Sequence, residues 1–230
     1  MAKLSNQIEV YLEVGQKRTF AGALEWPGWC RAGRDEVAAL QALVEMGPPY
    51  ARILHPAGIE FQPPAAVSDF VVVERLEGNA TTDFGAPNVA PRADTRPIDE
   101  AELQCLQALL QAYWQAFAET VQAADGKDLR LGPRGGGRDL AGIVQHVVGA
   151  QGGYLSRLAW KFKPDETENP IEAVPPTRQA VLEALAAAVH DGLPAHGPRG
   201  GAIWLPRYFV RRSAWHILDH LWEIEDRLLA

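Results

Sequence analysis

Hydrophobic residues in the first third of the chain fall in short runs of strand type. Ile8 to Val14 (IEVYLEV) and Arg18 to Leu24 (RTFAGAL) are two such runs, and Gly15-Gln16-Lys17 between them predicts a hairpin. Trp26-Pro27-Gly28-Trp29-Cys30 carries a turn signal. From Asp35 to Met46 the period changes. Val37, Leu40, Leu43 and Val44 recur at helical spacing, Asp35 stands where a cap belongs, and Gly47-Pro48-Pro49 predicts the stop. Asp69 to Leu76 (DFVVVERL) reads as a further strand, since β-branched residues follow one another there.

Between Glu77 and Pro97 the pattern dissolves into Gly, Pro, Asn, Thr and Asp without periodicity, the mark of a linker or a long ordered loop. This divides the chain into a domain over residues 1–78, a linker over 79–97 and a second domain over 98–230. The second domain is helical in pattern throughout. Ile98 to Ala124 places Leu103, Leu106, Leu110, Trp114, Phe117 and Val121 three or four residues apart. Further helices are predicted over Asp139 to Trp160, Thr177 to His190 and Pro206 to Leu229, with Pro206 in a first turn. Four amphipathic helices with mid-length loops predict a four-helix bundle. The expected fold class is α+β: a small N-terminal sheet with a helix, then the bundle.

Composition narrows the function classes. With 47% hydrophobic residues the chain is of globular type. A net charge of −7, with both signs interspersed, opposes attraction to nucleic acid or anionic lipid. No apolar stretch approaches the roughly 20 residues that span a bilayer. The first residues (MAKLSNQ) lack a signal-type apolar core, so a cytoplasmic location is expected. Cys30 and Cys105 are too few for a disulfide framework or a cysteine-built zinc site, and neither has a sequence-adjacent base that would make it a nucleophile.

Three histidines carry the candidate chemistry. His216 and His220 are four apart on the last predicted helix, hence about 40° apart around its axis and on one face. Two imidazoles one turn apart can chelate a single ion. Glu223 falls near the same stripe and Asp219 on its flank; either carboxylate can be a further ligand, an acceptor that orients an imidazole, or a proton relay. A third ligand is expected from His146, which interrupts the apolar run Ala141-Gly142-Ile143-Val144-Gln145-His146-Val147-Val148. Its same-face neighbours Gly142, Gly149, Ala150 and Gly153 are small, which predicts a cavity beside the ion. Three neutral imidazoles leave coordination positions open, as a catalytic site requires. Zinc, nickel, iron and copper all accept such ligands.

The segments Arg138 to Trp160 (RDLAGIVQHVVGAQGGYLSRLAW) and Arg212 to Arg227 (RSAWHILDHLWEIEDR) resemble the DinB/YfiT-like superfamily of four-helix bundles. That resemblance covers roughly residues 98 to 230. It implies a divalent metal held by one histidine of the second helix, His146, and a histidine pair of the last, His216 and His220. It also implies a small-molecule substrate, such as a bacterial low-molecular-weight thiol, with thiol transfer or hydrolysis as the reaction. A homodimer is a further expectation. The N-terminal third is similar to the HicB-like antitoxin fold, through Phe20-Ala21-Gly22-Ala23-Leu24-Glu25-Trp26-Pro27-Gly28-Trp29-Cys30 and Gly33-Arg34-Asp35-Glu36-Val37-Ala38-Ala39-Leu40. Since a bundle comes after it here in place of a DNA-binding segment, it is read as a scaffold or a substrate-covering domain.

The competing reading is a non-catalytic interaction module in which the histidines only stabilise the bundle. The remaining candidates read as structure. His55, His190 and His196 lie in or beside connections and are expected at the surface. Arg134 and Arg138, in the Gly/Arg stretch from Gly132 to Arg138, belong to a solvated loop or reach an anionic substrate at a helix N-terminus. Arg207, Arg211 and Arg212 are expected to pair with nearby carboxylates. Trp114, Trp160, Trp204, Trp215 and Trp222 are expected in the core, with Trp215 and Trp222 flanking the histidine stripe.

Overall fold

The computed structural model describes residues 7–131, 137–163, 169–197 and 201–229. The chain is mixed α+β and divides into two compact units, Met1–Arg96 and Pro97–Ala230.

The first unit is built on a four-stranded sheet of order β3-β2-β1-β4. Strand β1 (Ile8–Val14) pairs antiparallel with β2 (Thr19–Ala23), as the hairpin reading requires, and parallel with β4 (Phe70–Glu77). Val10, Tyr11, Leu12 and Glu13 of β1 are all buried, so this central strand is covered on both faces. Tyr11 lies opposite Gly22, and a Cβ at Gly22 would fall 2.6 Å from the Tyr11 ring. Only glycine lets the ring lie across its neighbour strand there.

Two elements of this unit go beyond the hydrophobic pattern. The short strand β3 (Cys30–Gly33) adds an edge to β2. Helix α1 (Glu36–Glu45) ends where expected, with its N-cap made by Asp35 accepting from the Ala38 amide at 2.8 Å. The prolines after it do not leave a loop, however. They sit in the first turn of a second helix, α2 (Gly47–Leu54). Proline lacks only an N–H that a first turn leaves unpaired in any case. Val37, expected on the apolar stripe of α1, is 74% exposed; Ala39, Leu43 and Val44 face the core instead. That core is aromatic: Trp29 stacks on Tyr50 with centroids 5.7 Å apart, Phe61 meets both edge-on, and Trp29 Nε1 donates to the Leu43 carbonyl at 3.1 Å.

Residues 79–96 belong to this unit. Asn79 caps the short helix α3 (Ala80–Phe84) by accepting from the Thr81 amide. The fully buried Glu13 carboxylate accepts from the Thr82 hydroxyl and from the amides of Asn88, at 2.9 and 3.0 Å, and Val89, at 3.0 Å. A buried carboxylate supplied with this many donors fixes the segment against β1.

The second unit contains four long helices: α4 (Glu100–Ala124), α5 (Leu140–Leu155), α6 (Val174–His190) and α7 (Pro206–Arg227). Leu103, Leu106, Leu110, Trp114, Phe117 and Val121 of α4 are buried as their spacing predicts. Helix α7 packs on α4 and α5, and α6 packs on the same two helices. Helix α5 ends at Leu155 in a 3₁₀ turn, Ser156–Leu158, whose C-cap Ala159 is left-handed at φ 57°. Helix α6 takes Pro175 and Pro176 into its first turn in place of starting after them. No helix among the described residues is long and apolar enough to cross a membrane.

Candidate metal centre

Two helices supply the centre. Helix α5 starts at Asp139, whose carboxylate accepts from the Gly142 amide at 2.7 Å, and presents His146 two turns later. Helix α7 presents His216 and His220 one turn apart. The ligand nitrogens of the three rings all lie within 4.8 Å of one another. Nε2 of His146 and Nε2 of His216 are 3.2 Å apart. Two imidazoles sharing one tetrahedral ion, with bonds of about 2.0–2.1 Å, place their nitrogens about 3.3 Å apart. The donor set therefore fits a divalent ion of imidazole preference in both chemistry and spacing.

The third ring is held from behind. Nδ1 of His220 lies 2.7 Å from Glu223 Oε2, which leaves Nε2 as its ligating nitrogen. The other oxygen of Glu223 accepts from Arg227 at 2.6 Å. Arg227 also donates to the carbonyls of Arg130 at 2.9 Å and Arg138 at 2.7 Å, so one guanidinium ties the segment before α5 to the end of α7. His220 and Arg227 together hold the Glu223 carboxyl at about 2, well below the ordinary carboxylate value, the His220 contact being the larger cause.

Burial keeps the other imidazoles neutral. His216 is 5% exposed, and desolvation pushes its pKa well below the usual histidine value, with the charges of His220 and Arg212 adding to the effect. His146 is lowered for the same leading reason, with smaller effects from His220 and Arg138. Neutral imidazole is the form that binds metal. The Nδ1 atom of His216 is buried without a hydrogen-bond partner among the described residues.

Of the five residues singled out from sequence, four meet: His146, His216, His220 and Glu223. Asp219 is half-buried and is not a member of the histidine group. It sits on the flank of the stripe, about 100° from His220 around the axis, too far round to share its direction. The expected cavity beside His146 takes a different form. Gly149 and Gly153 are exposed, and among the described residues no atom beyond their own stretch of α5 lies within 4 Å of where their Cβ would stand, so these two leave an open face and not an enclosed void, while a Cβ at Gly142 would meet the Asp139 carboxylate at 2.9 Å.

His55, His190 and His196 are exposed, as expected, and His190 pairs with Glu100 at 2.9 Å. The arginines at the head of α7 divide. Arg207 pairs with Glu102 and donates to the Pro97 carbonyl, while Arg212 lies over the rings of Trp215, at 4.6 Å, and Tyr154, at 5.5 Å. Of the tryptophans, Trp114, Trp215 and Trp222 are buried, whereas Trp160 and Trp204 are half-buried. Arg134 lies outside the described residues.

Tyr154 is the neighbour that sequence reading missed. It lies about two turns beyond His146 on α5, and its ring stands 5.7 Å from His216. Burial raises its phenol pKa, so it stays protonated. The i to i+8 spacing from His146 was its only signal.

No protein-family model matches the chain, and comparison with curated proteins and with solved structures finds no match.

Proposed function

We propose that the second unit binds one divalent metal ion through His146, His216 and His220 and uses it as the catalytic centre of a thiol transferase or hydrolase acting on a small molecule. The observation that carries this reading is the meeting of Nε2 atoms from two helices at 3.2 Å, in neutral rings, with the third ring oriented by Glu223. The order and helix placement of the three histidines also support kinship with the DinB/YfiT-like superfamily.

Held by His146, His216 and His220, a divalent ion would supply Lewis acidity that makes a thiol or water more acidic. The chain's own groups do the rest. His146 and His216, kept neutral by burial, hold their lone pairs available. Glu223 accepts a hydrogen bond from the Nδ1–H of His220 and fixes that ring's tautomer. The open face beside Gly149 and Gly153, on the helix that carries His146, is the side from which a substrate would approach. Only three protein ligands meet in the group among the described residues, which favours a catalytic over a closed structural site.

The same 3.2 Å is also a hydrogen-bond distance, and a polar contact joining α5 to α7 is the competing, non-catalytic reading. Elemental analysis of untagged protein after dialysis separates the two. The proposal expects about one equivalent of zinc, nickel, iron or copper, lost in His216→Ala and His220→Ala with helical circular dichroism retained. Protein that retains no metal, and takes none up on titration, overturns it. A screen of thiol-transfer and ester substrates on the loaded protein then selects the reaction.

A further inference from the structure

The structure assigns Arg212 as the residue that selects the substrate of this centre, by binding a carboxylate that the substrate carries a few bonds from its reacting atom. The assignment rests on the catalytic reading of the histidine cluster and adds to it the chemical class of the ligand.

Arg212 differs from the other cations around it. Arg207 has Glu102, and Arg227 has Glu223 with two carbonyls. Among the described residues, the contacts of Arg212 are ring faces, those of Trp215 and Tyr154. It is half-buried, and its Nη1 is sealed from solvent without a hydrogen-bond partner among the described residues. A guanidinium stacked on aromatic rings uses its flat face. Its N–H groups lie in the plane and stay directed at its edge, in the fork that matches a carboxylate. Burying such a donor without an acceptor is unfavourable, and a bound anion relieves it.

Position makes the site part of the metal centre. Arg212 is one turn before His216 on α7, about 6 Å along the axis. Tyr154 bridges the two, its ring near both the guanidinium and the His216 imidazole. Trp204 stands beside Tyr154, 5.2 Å between centroids, and extends the aromatic wall. Two arginines, Arg138 and Arg212, act on His216, and the Glu223 carboxylate beside His220 is paired with Arg227. One helical turn between Arg212 and His216 limits the proposal to a short molecule, its carboxylate and its thiol or carbonyl two to four bonds apart.

The test uses 3-mercaptopropionate and its neutral analogue 3-mercaptopropionamide, titrated into the full chain loaded with cobalt(II) and into the chelated chain. Binding is read by calorimetry and by tryptophan fluorescence, Trp215 lying directly against Arg212. The acid is expected to bind at least ten-fold more tightly than the amide. Arg212→Met abolishes that preference while cobalt content stays within two-fold. Arg212→Lys, which keeps the charge and loses the fork, retains only part of the preference, and it carries the comparison if the Met variant does not fold. Equal affinities for acid and amide, or a preference undiminished in the variants, overturns the assignment. Should the chain bind no cobalt, the metal reading fails by itself. The titration of the chelated chain then decides on Arg212: a carboxylate preference that depends on it sustains the anion site, and indifference removes it.

Discussion

His220 and Glu223 are joined at 2.7 Å through Nδ1, and Glu223 is gripped in turn by Arg227. The ring that completes the centre is therefore oriented by a residue outside the histidine group. Glu223→Gln keeps the shape and weakens the acceptor. Metal affinity is expected to fall by about 10- to 100-fold, the usual effect of losing the group behind a ligating histidine. Competition titration with a chromophoric chelator measures it, and helical circular dichroism should not change.

His146 is the contribution of α5 to the group. His146→Ala should reduce bound metal to a small fraction of an equivalent while costing little stability, because the residue is half-exposed. Elemental analysis with a parallel denaturation curve checks both halves. A stoichiometry equal to that of the unsubstituted chain would mean that His216 and His220 suffice.

Acid should destabilise the metal-free chain in two stages. His216 and His146 titrate in the unfolded chain near the ordinary histidine value of 6.5, but lower when folded. Below pH 6.5 the unfolded state takes up protons that the folded state refuses, so stability falls with pH. Glu223, at about 2 in the fold against 4.5 ordinarily, contributes stability that is fully present above 4.5 and is lost as pH drops towards 2. Urea midpoints across pH 4 to 8 should decline below 6.5, and His216→Gln should flatten that first decline.

In the other unit, Glu13→Ala should be destabilising. It strips the acceptor from the fully buried Thr82 hydroxyl and from the part-buried amides of Asn88 and Val89. At about 1–3 kcal/mol for a buried donor left unpaired, the loss is at least about 1 kcal/mol. Chemical denaturation should show it, with protease cleavage between residues 79 and 96 rising in step.

Periodicity made the long elements legible. The apolar positions of α4 are buried one after another because a helix of that length has a single face to hide, and spacing reports that face directly. The hairpin of β1 and β2 was legible for the same reason. In that pattern Cys30-Arg31-Ala32-Gly33 was not, since it contains no β-branched residue, and only the HicB-like resemblance implied a strand there; pairing with β2 makes it one. Gly47-Pro48-Pro49 misled because proline both ends one helix and opens the next, and the helix-forming residues Tyr50 to Leu54 decide between the two. Val37 misled because α1 covers its sheet with small Ala39 and leaves a larger neighbour in water. At the centre, the histidine spacing told which residues meet. Whether Arg212 faces a carboxylate or two rings depends on Tyr154, which another helix delivers.

The sheet of the first unit has its earliest strand in the middle. Strand β1 finds one partner close by, across the hairpin, but its parallel neighbour, which sets Phe70 opposite Ile8, arrives only after both helices and the intervening loop have been made. During synthesis, one edge of β1 stays unprotected until β4 emerges, and closure of that long loop sets the pace of folding. Nascent chains halted before Phe70 should therefore be captured readily by chaperones, and those extended past Glu77 should escape.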